Sequence, residues 1–133
     1  MNLPTDLQHF SAPTLLIVSD TQRATFYLAH NETINVVETI DVPAEFDIER
    51  DSKFVSDFKD EPREHRFVAR VAEMTSAFAH NKNIGHIFIA APQEIINLLE
   101  AKLGDDVRAF ISRRIVKDLV KENVIDVVKR FFA

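Results

Sequence analysis

The chain has 133 residues, 46% of them hydrophobic, and a formal net charge of −5. That length and composition suit one globular domain with a true core, while zero cysteines exclude disulfides and thiolate metal sites. With only 2 glycines, the chain is poorly equipped for P-loop or dinucleotide-binding loops, which need several.

Residues 1–13, MNLPTDLQHFSAP, read as a loose N-terminal arm; they lack the apolar segment of a signal peptide. Residues 14–19 (TLLIVS) are continuously apolar and β-rich, as in a central strand buried on both faces. Asp20, Thr21 and Gln22 form a turn in which Asp20 can accept from backbone amides ahead of it. A second strand follows at 23–29 (RATFYLA), a turn at 30–32, and a third strand at 34–42 (INVVETIDV) whose partial alternation implies one wetter face. These three strands read as an antiparallel meander.

Residues 43–61 break the pattern. The stretch is acidic, carries scattered Phe residues and shows no clean period, so it reads as a long loop. A helix is expected over 60–81, with Asp60 as cap, Pro62 in the first turn, and Phe67, Val71, Met74, Thr75 and Phe78 along one face. Residues 84–90 form a fourth strand that turns at Ala90, Ala91 and Pro92 directly into a helix over 92–103, stopped by Gly104. Such corners often hold phosphate or a nucleophile, yet this one has no glycine-rich loop, Ser, Cys or Lys; it reads as a packing hinge. A short helix over 105–112, with Val107, Phe110 and Ile111 inward, leads to a fifth strand at 113–117. The last helix covers 118–132, with Asp118 placed to cap it.

The order β-β-β-α-β-α-β-α implies an α/β fold with a mixed five-stranded sheet, ribonuclease H-like, flanked by helices in one domain over 14–133. A strand–helix–strand crossover makes the fourth and fifth strands parallel.

Four segments carry a family resemblance: LLIVSDTQRATFYLA (15–29), DEPREHRFVARVAEM (60–74), IGHIFIAAPQEIINLLEAKL (84–103) and RRIVKDLVKENVIDVV (113–128). In order and spacing they resemble the host attachment family of bacterial proteins. That family is similar to the middle, ribonuclease H-like domain of eukaryotic and archaeal peptide-chain release factors and their ribosome-rescue relatives. The resemblance implies a bacterial, release-factor-like protein with the ribosome or RNA as an expected partner. It does not imply peptidyl-tRNA hydrolysis, because the loop at 43–59 contains neither glycine nor glutamine and so no Gly-Gly-Gln.

Ribonuclease H-like enzymes hold metal ions with clustered carboxylates. The candidates here are Asp20, Asp41 and Asp118. Asp20 and Asp41 sit at strand ends with no second acid at metal-ligand spacing on their strands, Asp118 sits where it can cap the last helix, and turn-forming or capping roles fit all three better. His9, His30, His65, His80 and His86 include no i, i+4 pair, and the serines lack elbow glycines. No catalytic set, metal or cofactor is expected. The best binding candidates are Arg113, Arg114 and Lys117, which could meet RNA phosphate or an acidic protein face if they cluster.

Three readings follow. The first is a non-enzymatic binding or adaptor domain, with the ribosome, RNA or another protein as partner. The second is a metal-dependent nuclease or phosphoesterase by fold analogy. The third is a homo-oligomeric module, such as a homodimer, with the exposed third strand and the Phe-bearing loop at 43–61 as its interface. No apolar run nears the ~20 residues of a membrane span, so the expected location is the cytoplasm.

Overall fold

The structure, a computed structural model, describes residues 1–41 and 63–133. The loop expected at 43–61 and the cap expected at Asp60 lie outside the described residues. Five strands form one mixed sheet in the order β3-β2-β1-β4-β5. They are β1 (Phe10–Ser19), β2 (Arg23–Asn31), β3 (Thr33–Asp41), β4 (His86–Ala91) and β5 (Ile111–Val116). β1 pairs antiparallel with β2, and β2 with β3, as the meander required. β4 lies parallel to both β1 and β5.

The central place of β1 explains its apolar run. Leu15 and Ile17 enter one core, while Leu16 and Val18 enter the other, and all four are buried. Fully burying each such side chain contributes about 1.5–3 kcal/mol. The first core is covered by α1 (Arg63–Asn81) and α2 (Gln93–Lys102). Phe67, Val71 and Thr75 of the predicted stripe are buried there, with Met74 and Phe78 packed at its margin. Thr75 enters at little cost because its hydroxyl donates to the Val71 carbonyl at 2.7 Å.

The second core lies under α3 (Val124–Phe131) and the N-terminal segment. This corrects the expectation of a loose arm over residues 1–13. Leu3, Leu7 and Phe10 are buried in this core, a 3-10 turn spans Thr5–Leu7, and β1 already begins at Phe10. Leu3 N–H donates to the Glu32 carbonyl at 2.7 Å, and Asn2 bridges to Thr33. The polar residues between these apolar anchors hid their pattern.

The corner between β4 and α2 is the expected hinge. Ala90 and Ala91 are wholly buried, and Pro92 precedes the helix with φ −57° and ψ 150°. Its carbonyl accepts from the amides of Ile95 and Ile96.

Three boundaries differ from the sequence reading. The short helix is one turn, Asp105–Arg108; Phe110 is partly exposed, and Ile111 already belongs to β5. Gly104 stops no helix through a left-handed cap: its φ is −70° and it precedes the next turn. The last helix starts at Val124 rather than 118. Its cap is Asn123, whose side chain accepts from the Asp126 amide at 3.0 Å. Asp118 instead accepts from the Val120 amide at 3.1 Å, closing a separate turn.

Candidate functional site

The predicted basic cluster is not one patch. Arg113 sits beside Phe88 in the β4–β5 register and Arg114 beside Ile89, so the two lie on opposite sheet faces. Arg114 reaches α2 and forms a bidentate pair with Glu100, both N–O distances 2.8 Å. Arg113 turns the other way, toward the C-terminal end of α3. There its Nη1 donates to the Phe131 carbonyl at 3.0 Å, one of the carbonyls a helix end leaves unpaired. Lys117 is exposed beyond the end of β5.

Around Arg113 lies a cleft of about 330 Å³, at the edge where β4 and β5 begin. A bulge builds it. Between the Ile87–Ile111 and Phe88–Arg113 pairs, β5 spends one residue more than β4, and that extra residue is Ser112. The bulge brings Ser112 and Arg113 both to the cleft, where strict alternation would have sent them to opposite faces. Ser112 Oγ lies 2.7 Å from His86 Nδ1 and 3.1 Å from the Phe110 carbonyl. Both contacts are satisfied together only if the hydroxyl donates to the carbonyl and Nδ1–H donates to the hydroxyl. Ser112 is therefore held as an acceptor toward His86, an arrangement unlike an activated nucleophile.

The opposite wall comes from the N-terminal segment. The ring of His9 rests on that of Phe132, with centroids 4.5 Å apart. The Arg113 guanidinium lies 4.6 Å from the Phe132 ring centre and 5.6 Å from that of Phe88. These contacts fix a cation that no carboxylate neutralises among the described residues. β1 is irregular between Phe10 and Thr14, and this stretch lines the cleft with Ser11 and Ala12. Gly85 is required beside it. Its amide donates to the Pro13 carbonyl at 2.8 Å, and a Cβ at Gly85 would stand 2.8 Å from Ala12 Cβ.

The candidate carboxylates remain apart in role. Asp20 Oδ1 accepts from the amides of Gln22 and Arg23, both at 2.7 Å, as its turn position implied. Asp41 pairs with Arg23 at 2.9 Å, and Asp118 holds its own turn. Among the described residues, no three His, Asp or Glu side chains come together in a group that could hold a metal ion. No described helix is long and apolar enough to cross a membrane.

Sequence reasoning singles out Arg113 but sets its companions His9, His86 and Ser112 aside, since they form no metal-ligand pair and no nucleophile elbow. The signals in the sequence were weak: a histidine beside Gly85, and Ser112 just before the basic pair. Their meeting depends on the β1–β4–β5 order and on the bulge.

Comparison with known folds places the architecture. An archaeal protein of known structure matches with a TM-score of 0.54 at 13% identity, covering 90% of this chain and 36% of that one. Dom34 of S. cerevisiae, a translation termination-like factor involved in RNA quality control pathways and interacting with Hbs1, matches with a TM-score of 0.50 at 10% identity. That match covers 95% of this chain and 37% of Dom34. The archaeal translation termination factor aRF1 matches with a TM-score of 0.48 at 17% identity, covering 89% of this chain and 37% of that one. The chain thus spans little more than a third of the length of these proteins. No curated protein sequence matches it. The family model for bacterial archaeo-eukaryotic release factor family 12 matches residues 48–131, which is more than half of the chain, and the protein belongs to that family.

Proposed function

We propose that this chain is a non-enzymatic binding domain that acts in translation in the cytoplasm, by associating with the ribosome or its RNA. The observation that carries the reading is the family match over residues 48–131. The shared fold with Dom34 agrees with it. Arg113 adds a cation free of any carboxylate partner among the described residues, a suitable contact for phosphate on an otherwise acidic protein. The kinship with the host attachment family belongs to the same proposal; that name supplies no mechanism.

Co-sedimentation of the full chain with bacterial ribosomes tests the reading. Association is expected at low salt and should weaken as salt screens phosphate contacts. No association at low salt overturns it.

A further inference from the structure

We infer that the cleft between the N-terminal segment, the start of β4 and the bulge of β5 is a binding site for a phosphate monoester. The argument begins with charge. Arg113, His9, His86 and the hydroxyls of Ser11, Thr14 and Ser112 line the cleft, and among the described residues no carboxylate lines it. Glu32 lines an adjoining hollow that shares His9, Phe10 and Ser11. On a chain of net charge −5, a concavity with that lining selects anions.

The second point is preorganisation. Arg23, Arg108, Arg114 and Arg130 are each paired with a carboxylate. Arg113 is held instead by Phe132, Phe88 and the Phe131 carbonyl, which engages one of its five N–H groups. Its orientation is fixed while donors remain for a ligand. A structural role as a helix cap would need the Phe131 contact alone. It would not need the bulge that brings Ser112 and His86 alongside.

The third point is donor number and room. Thr14 and Ser112 already donate to the Ala12 and Phe110 carbonyls, and His86 donates to Ser112. The four N–H groups that Arg113 keeps, the His9 ring and the Ser11 hydroxyl still supply more donors than the two oxygens of a carboxylate require, and suit the three terminal oxygens of a phosphate monoester. A cleft of about 330 Å³ also leaves space for the group that carries the phosphate. That group is either a small metabolite such as a nucleotide or the end of an RNA strand. The inference does not rest on ribosome association.

The test is a titration of the full chain, isotopically labelled, followed by NMR, with inorganic phosphate, 5′-AMP and adenosine as probes. Phosphate and 5′-AMP are expected to shift the amides of His86, Ser112 and Arg113 saturably, and adenosine is not. Arg113→Met keeps an apolar stem against Phe132 and should weaken 5′-AMP binding about tenfold or more. His86→Ala, which leaves the Arg113 cap in place, should weaken it as well, while Lys102→Ala should not. Equal binding of adenosine, non-saturable shifts spread over surface lysines, or undiminished binding by both cleft variants overturns the inference. A 5′-phosphorylated oligoribonucleotide that binds more tightly than its 5′-hydroxyl counterpart assigns the phosphate to an RNA end. Binding of 5′-AMP with neither strand bound assigns it to a free metabolite. Equal binding of both strands without 5′-AMP binding overturns the monoester assignment.

Discussion

Arg114 and Glu100 tie the edge strand β5 to α2 through two parallel N–H to oxygen bonds, each 2.8 Å. The bond to Arg114 holds the Glu100 carboxyl below its ordinary value of 4.5, against a smaller opposing effect of burial. Because the folded value is the lower one, the unfolded chain takes up the proton first as pH falls. The pair's stabilisation is therefore complete above about 4.5 and is lost as pH drops through the folded value. Both side chains keep solvent contact, which limits the pair to about 1 kcal/mol or less. A double-mutant cycle of Glu100→Gln and Arg114→Gln, read by urea unfolding at neutral and acidic pH, should show a coupling that fades on the acidic side. A pH-independent coupling would contradict this.

Gly85→Ala should destabilise the protein by about 1–3 kcal/mol, because the new methyl has no room against Ala12. Ala12→Gly in the same chain should recover part of the loss, and urea midpoints of the single and double variants decide. If Ala12→Gly recovers nothing, the contact is not the cause.

Phe10→Ala should cost about 3–5 kcal/mol, the range for emptying an aromatic site in a core. Phe10 is buried and packs its ring against those of Phe88 and Phe132. A loss below about 1 kcal/mol would mean that the N-terminal segment adds little to the core. By contrast, Val36→Ala on the exposed side of β3 should stay within about 0.5 kcal/mol of the parent.

Asn123→Ala should lower stability by about 1 kcal/mol through loss of the α3 cap. Asp118→Ala should cost less, since Asp118 closes only an exposed turn. Thermal unfolding of the two variants ranks them, and the reverse order would reinstate Asp118 as the helix start.

Much of the fold was legible because its signals are local. The run at Leu15, Leu16, Ile17 and Val18 declared a strand buried on both faces. The stripe at Phe67, Val71 and Thr75 declared a helix, and Pro92 after Ala90 and Ala91 declared the corner between them. Boundaries blurred where two local signals competed. Asp118 and Asn123 are both good caps, and only packing of Val127, Val128 and Phe131 into the second core decided where α3 begins. Residues 1–13 resemble a loose arm in sequence because Leu3, Leu7 and Phe10 find their partners far along the chain.

By itself, then, the sequence determined the element order, the two-faced core and the absence of a glycine-rich phosphate loop. Each follows from residue type and short-range period. Only the tertiary structure decided the candidate site. Arg113 and Arg114 are adjacent in sequence yet lie on opposite sheet faces, because strand side chains alternate. His9, His86, Ser112 and Arg113 are scattered in sequence yet line one cleft. A one-residue bulge overrides the alternation at Ser112, and the pairing of β1 with β4 brings the N-terminal segment with His9 to the same edge. Neither leaves a periodic trace in the chain.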